Sequence, residues 1–287
     1  MPQPKYFVWR FSAIGTEWSI ETIDPVSPSL SDTITSTIED FDATYSRFRE
    51  DSLITKISRS AGTYRFPESA IELFALYQQL YDATNGSVTP LVGSLLESLG
   101  YDAKYSLRKK SFQPTVFALE ILEWDGLDLT VSQPVLIDIG AVGKGYLVDR
   151  VAQLLDDEHS AYVIDASGDI RTKGETPQRI GLEDPLDEGK VLGVLTVQNA
   201  SLCGSATNRR AWGDGLHHIV DPMSGKSTSG VAATWVKAET TAIADGLATA
   251  LFFTEPDALR ALFNFEYICF YDNRSMRYSE GMKEVTQ

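Results

Sequence analysis

A chain of 287 residues with 43% hydrophobic and 10% aromatic residues can bury roughly three quarters of the surface its unfolded form would expose, which excludes a disulfide-stapled miniature scaffold. Forty acidic residues against 25 basic ones give a net charge of −15, a surface that repels phosphate backbones and anionic lipid. Nucleic acid and membrane insertion are thereby excluded, and a polyanionic ligand would need a bound cation or backbone N–H groups aimed at it.

In chain order, Lys5–Arg10 and Glu17–Thr22 are short runs rich in aromatic and β-branched residues around Gly15-Thr16, the pattern of a hairpin. After Pro25 and Pro28, the spacing of Leu30, Ile34, Ile38, Phe41 and Tyr45 predicts an amphipathic helix. A second helix follows Pro67, with Ile71, Phe74, Tyr77, Leu80 and Tyr81 on one side, and stops at the turn pair Asn85-Gly86. Lys104–Lys110 reads as a solvated basic loop. From Ile121 strands dominate. Ile121–Trp124 and Leu127–Val131 flank Asp125-Gly126 as a hairpin, and Val135–Ile139 reads as a buried strand. Tyr162–Ile164, Val191–Val197, Val231–Val236 and Tyr267–Tyr271 are further strands, interrupted by helices at Gly145–Leu155, Thr241–Phe253 and Pro256–Phe263. The order is mixed α+β without regular βαβ alternation. The two cysteines, Cys203 and Cys269, have no metal-ligand spacing and read as buried reduced thiols. No stretch has the length of a signal or a membrane span, so the expectation is a soluble, cytoplasmic protein.

Four segments carry chemistry. In Thr240–Phe253 an apolar helical pattern is interrupted by Asp245 and, four residues later on the same face, Thr249. A buried carboxylate needs a cationic partner or a metal ion. Two stacked hard oxygens suit Mg²⁺ or Ca²⁺, while a buried salt bridge with Thr249 bonded back to its own helix is the alternative. In Ile137–Arg150 a strand runs into Gly140, Gly143 and Gly145 and then a helix. That start offers N–H groups, with Lys144 as a point charge for phosphate, although the spacing fits neither a Walker A loop nor the dinucleotide fingerprint. Ile164–Lys173 holds a strand ending at Ser167-Gly168-Asp169, a close-approach loop or simply a turn. Cys203–Gly225 contains the adjacent His217 and His218, only one of which can face a given site from a strand, and either could move a proton.

These segments, in this order, resemble the FAD:protein FMN transferase (ApbE) family. Asp138–Asp149 is similar to D-L-G-G-I-A-K-G-Y-x-V-D, Asp165–Ile170 to N-x-G-G-D-I, and Cys203–Arg210 to A-T-S-G-D-Y-R-R. His217–Pro222 matches S-H-I-I-D-P, and Ala244–Phe252 matches A-D-A-L-A-T-A-L-F. Earlier, Ile14-Gly15-Thr16 is similar to M-G-T, Ser46–Ile57 to S-x-F/Y-x-x-x-S-x-I, and Thr84–Leu95 to D-G-x-F-D-P-T-V-G-P-L. The chain departs from the pattern at Ser205-Ala206-Thr207-Asn208, where S-G-D-Y is usual, at Val88-Thr89-Pro90-Leu91, where F-D-P-T is usual, and at Ser167 and Ile14.

The resemblance implies a mixed α/β two-layer fold of mostly antiparallel sheets packed with helices. It implies a single domain over residues 1–287, divisible into a helical lobe to about residue 120 and a strand-rich lobe beyond. It implies an enzyme that binds FAD and Mg²⁺ and transfers FMN to a threonine or serine of an acceptor flavoprotein, with AMP leaving. By the same analogy Asp245, Thr249 and the Ala141 carbonyl would bind the metal, and His218 and Asp245 would be catalytic. Asp138, Gly140, Gly143, Lys144, Gly168, Asp169, Ser205 and the Ile14-Gly15-Thr16 turn would line the flavin or diphosphate pocket. Two other functions remain open on this sequence: an FAD pyrophosphatase using water as nucleophile, and a flavin-binding protein without chemistry.

Overall fold

The structure, a computed structural model, describes residues 6–110, 119–213 and 215–286. Its frame is an eight-stranded antiparallel sheet whose spatial order is also its order along the chain: Phe7–Ala13, Thr16–Thr22, Tyr162–Asp165, Asp169–Lys173, Ser201–Ala206, Val231–Ala238, Phe265–Tyr271 and Met276–Tyr278. The first two strands turn through Ile14 (φ +45°) and Gly15 (φ +73°), a left-handed pair that matches the twist of a two-residue hairpin. This hairpin joins the sheet by pairing Thr16–Thr22 with Tyr162–Asp165, so the N-terminal third contributes strands as well as helices.

Alternation along the strands sends one set of side chains to each face. On one face Trp18, Ile20, Tyr162 and Ile164 pack against Leu30 and Ile34 of helix Pro28–Tyr45 and against Leu147, Val148 and Val151 of helix Gly143–Asp156. Cys203 and Val236 pack with the helix Thr241–Ala250. On the other face Leu202, Trp235 and Ile268 meet Leu182, Leu195 and Val197 from the hairpin Gln178–Glu183/Val191–Val197. Gly204 lies where a Cβ would come within 3.0 Å of the Trp235 ring, so the indole packs flat on the strand only because that position lacks a side chain. Both cysteines are free and buried. Among the described residues no helix is long and apolar enough to cross a membrane.

Several elements differ from the sequence reading. Helix Ala70–Ala83 buries Ala70, Leu73, Tyr77 and Leu80, whereas Ile71 is 53% exposed; the buried stripe is set one residue earlier than its aliphatic spacing suggests. Val135–Ile139 is buried but forms no strand: its backbone is held by isolated bonds, Val135 N–H to the Ile57 carbonyl and Asp138 N–H to the Pro90 carbonyl. The 121–131 hairpin pairs Glu123–Asp125 with Asp128–Val131 and gains an unforeseen third strand, Gly62–Arg65. The strand Gln178–Glu183 was likewise not legible. Helix Thr241–Ala250 ends before Phe253, and Pro256–Arg260 is a single turn and a half. Residues 111–118 and Lys5 lie outside the described residues.

Candidate active site

The site begins where two helices cross. Gly145 in the first turn of helix Gly143–Asp156 lies so close to helix Thr241–Ala250 that a Cβ there would sit 2.3 Å from the Thr241 carbonyl oxygen and 2.7 Å from Asp245 Cβ. That approach lets the Gly145 N–H donate to Asp245 Oδ2 at 2.9 Å. In return Asp149, one turn along, accepts from the Thr241 and Ala242 N–H groups, each at 2.8 Å, and caps the second helix. Each helix thus has a carboxylate from the other at its positive end. The N–H group expected to await phosphate is therefore taken by a carboxylate. Gly143 serves packing, since a Cβ there would fall 2.5 Å from Ile139 Cδ1.

Asp245 is 6% exposed and has Asp169, itself 1% exposed, as its neighbour. The single ammonium at hand, Lys144, goes to Asp169 Oδ2 at 2.7 Å and to the Ala166 carbonyl at 2.8 Å. Burial, then the Asp169 charge, drives Asp245 well above the ordinary carboxylate range, and Lys144 with the Gly145 N–H offsets only part. Burial works against the Lys144 charge too, yet Asp169 and Asp245 together outweigh it and hold its pKa above the usual value. Two buried carboxylates share one lysine, a centre one positive charge short. The expected alternative to a metal, a salt bridge directly to Asp245, is not formed among the described residues, and the Thr249 hydroxyl, half-buried on the same helix face, makes no bond back to its helix. The Asp245 and Thr249 oxygens, with a carbonyl of the glycine loop, fit a hard divalent cation such as Mg²⁺ that takes its remaining ligands from water and substrate phosphate. Among the described residues no group of three or more His, Cys, Asp or Glu side chains is placed to hold a metal ion.

The remaining expected residues fall into several groups. The Ile14-Gly15-Thr16 turn and the Ala166-Ser167-Gly168 turn sit at the same end of the sheet, joined by Ser167 Oγ donating to the Glu17 carbonyl at 2.9 Å. Ser205 lies at the corresponding end of the next strand but one, after the Cys203–Asp169 pairing. Gly168 and Ser205 also border a cleft of about 580 Å³ that is lined by Trp235, Ile170 and the Gln178–Glu183 strand. Asp138 accepts from the Gly140 N–H at 2.7 Å and binds the buried Arg47. Arg47 had not been singled out: its Nη1 donates to the Tyr101 carbonyl at 2.9 Å and its guanidinium lies 4.2 Å from the Phe48 ring centre and 4.9 Å from that of Tyr101. Tyr101 also stacks on Trp212 at 5.6 Å, 17° from parallel. The S-x-F/Y motif could have flagged Phe48, but nothing local marks Tyr101 or Trp212.

The two histidines differ in their surroundings. His217 is buried, its Nε2 at 3.0 Å from the Thr228 carbonyl. His218, just past the strand Leu216–His217, feels the charges of Arg210 and Asp138, and among the described residues its Nδ1 has no hydrogen-bond partner. Burial, then the Arg210 charge and His217, press the His218 pKa down to about 3. His218 is therefore neutral at physiological pH and able to accept a proton.

Comparison with known proteins meets this geometry. The pattern of the ApbE family matches residues 14–269. The chain belongs to the ApbE family. A FAD:protein FMN transferase of Klebsiella pneumoniae is 22% identical over 96% of this chain and 83% of its own length, and one of Haemophilus influenzae is 25% identical over 83% and 78%. The crystal structure of the ApbE protein of Thermotoga maritima superposes with a TM-score of 0.85 at 24% identity, covering 99% of this chain and all of its own. Asp245 and Thr249 stand on one helix of this ApbE-family chain. It replaces the carboxylate usual at position 89 with Thr89, whose hydroxyl accepts from the Leu91 N–H at 3.2 Å and caps a 3₁₀ turn.

Proposed function

We propose that this chain is a Mg²⁺-dependent FAD:protein FMN transferase that moves FMN from FAD onto a threonine or serine hydroxyl of an acceptor protein and releases AMP. The observation that carries the reading is the Lys144–Asp169–Asp245 cluster, a buried centre one positive charge short, set in a chain whose relatives bear that activity by name. A strongly acidic protein needs such a centre to take up a diphosphate.

Asp245, Thr249 and the Ala141 carbonyl would hold Mg²⁺, which when bound neutralises diphosphate charge and polarises the phosphorus on the FMN side. Lys144, held by Asp169 and the Ala166 carbonyl, would add its positive charge to the same field. His218 takes the proton of the acceptor hydroxyl on its free ring nitrogen as that oxygen bonds to the FMN phosphorus. The bond from that phosphorus to the bridging oxygen breaks, and AMP departs with the electron pair. Phosphoryl transfer demands positioning and charge neutralisation more than covalent help from the protein, which suits a site with no nucleophilic side chain in play. Cys203, beside the cluster, is kept a neutral thiol by burial and by Asp169 and Asp245.

The test is incubation with FAD and Mg²⁺, with and without candidate acceptor flavoproteins, read by mass spectrometry and flavin fluorescence of the separated acceptor. FMN covalently attached to a threonine or serine is the expected result. Free FMN and AMP irrespective of acceptor would make the chain a pyrophosphatase, and unchanged FAD would reduce it to a binding protein.

A further inference from the structure

Tyr77 has no part in the site as read from the sequence, where it is one apolar position of a helix. In the structure it is 1% exposed, and among the described residues its hydroxyl has no hydrogen-bond partner. A buried hydroxyl left without a partner is destabilising, so phenylalanine would be the more stable residue if packing were the only demand. The hydroxyl is not in apolar surroundings. The backbone of Ala141 and Val142 and the charges of both Asp138 and Asp245 act on it. Its helix is pressed onto the same region: Leu80, one turn on, fills the space over Gly246, where a Cβ would lie 2.6 Å from Leu80 Cδ1 and 3.2 Å from Val142 Cγ2. At the helix start, the Ser69 carbonyl accepts from the Tyr146 hydroxyl at 2.8 Å.

We infer that Tyr77 is a positioning residue for the Mg²⁺ site, its hydroxyl bracing the Ala141–Val142 peptide from beneath so that the Ala141 carbonyl faces the cation. The peptide geometry supplies the direction. The Val142 N–H points inward, to the Ile139 carbonyl at 3.1 Å and to the Tyr77 side. In a trans peptide the carbonyl of Ala141 points the opposite way, out of the loop. A cation held by that carbonyl would polarise the peptide and strengthen the Val142 N–H as a donor towards Tyr77. The hydroxyl is thus unsatisfied in the metal-free protein and satisfied in the loaded one. It gives up stability in the first to gain affinity in the second, as outer residues of metal sites do.

The inference rests on the Mg²⁺ reading above, and its test separates the two. The full-length protein is titrated with Mg²⁺ at fixed FAD, FAD binding is followed by quenching of flavin fluorescence, and wild type, Tyr77→Phe and Asp245→Ala are compared. Tyr77→Phe, which removes one oxygen, raises the half-saturating Mg²⁺ concentration roughly tenfold while its metal-free melting temperature is unchanged or higher. In turnover its deficit falls on the Mg²⁺ requirement more than on kcat. Wild-type Mg²⁺ saturation in Tyr77→Phe, with Asp245→Ala defective, would overturn the role of Tyr77 alone. Wild-type Mg²⁺ saturation in Asp245→Ala would overturn the metal site and the inference together.

Discussion

The crossing at Gly145 offers the sharpest test of how this site is built. Alanine has the higher helix propensity by about 1 kcal/mol, and a Gly→Ala change at a compatible helical position stabilises further by restricting the unfolded chain. Gly145→Ala should nevertheless destabilise, because its Cβ would lie 2.3 Å from the Thr241 carbonyl oxygen and 2.7 Å from Asp245 Cβ. Both are fixed atoms of a packed helix rather than the end of a mobile side chain. Ordinary contact needs about 3.5 Å, so the helices must part by roughly 1 Å. Overpacking of this kind costs about 1–3 kcal/mol, and weakening the 2.9 Å bond from the Gly145 N–H to Asp245 adds about 1–2 kcal/mol. Set against the propensity gain, the net loss is about 1–4 kcal/mol, a fall in Tm of roughly 2–7 °C for a chain of this length. Gly246→Ala is the control, since its nearest new contact, 2.6 Å away, is the tip of Leu80; Leu80 can change rotamer, and the loss should be less than half as large. Thermal melts of both variants, with urea titrations to check the m-value, decide the matter. A Gly145→Ala protein as stable as wild type, or one no worse than Gly246→Ala, would refute the close crossing.

Asp138→Asn leaves Arg47 as a buried cation without its carboxylate, a loss of about 3–5 kcal/mol, and urea unfolding should show a midpoint lower than that of Gly145→Ala; an unchanged midpoint would remove Asp138 from the frame of the site. His218→Asn should keep FAD affinity and lower transfer by roughly 10²–10⁴-fold, a split to be read from single-turnover rates against equilibrium binding. Because the His218 pKa in the free protein is about 3, below that of an ordinary imidazole, it carries no proton at pH 5, and kcat/KM should show no acid limb from this group between pH 5 and 8. An acid limb centred near 6.5 that vanishes in His218→Asn would show the ring to be exposed and unperturbed. The same depression means that the unfolded chain binds the extra proton first, so His218 contributes a loss of stability as pH falls below about 6.5. Asp245→Ala should abolish Mg²⁺-dependent transfer while the protein still melts cooperatively. Full wild-type transfer in excess EDTA would contradict the metal assignment.

What could be read from the sequence follows the range of the forces involved. Helix Pro28–Tyr45 and the first hairpin were legible because one local pattern, the 3–4 spacing of Leu30, Ile34 and Tyr45 or a Gly at the left-handed position, decides each. Val135–Ile139 misled because its apolar run reflects burial, while its backbone bonds go to Ile57 and Pro90, 78 and 48 residues away. Gly62–Arg65 and Gln178–Glu183 are strands by virtue of partners elsewhere, and Ile71 is exposed because the packing of helix Ala70–Ala83 against Gly246 and the glycine loop, not its own hydropathy, sets its rotation. In the site, Asp245 announced itself as a lone acid in an apolar helix. The Arg47–Asp138 pair and the role of Tyr101 could not be seen, since each joins residues more than 50 positions apart.

The two helix starts explain why the metal ligand and the fold are hard to separate. Asp149 and Asp245 play matching parts in the reciprocal clasp, yet their surroundings differ. Asp149 has both oxygens engaged by the N–H groups of Thr241 and Ala242, which satisfies it as a cap. Asp245 has one oxygen on Gly145 and faces Asp169, whose charge it cannot tolerate at close range without a proton or a cation between them. The first carboxylate is therefore saturated by backbone and can only be structural. The second is held in place by backbone through one oxygen and is otherwise engaged with Asp169 rather than with backbone, so its position is set before any metal arrives. The fold fixes the position of Asp245 through the Gly145 N–H, and the Asp169 carboxylate beside it creates the demand for a proton or a cation.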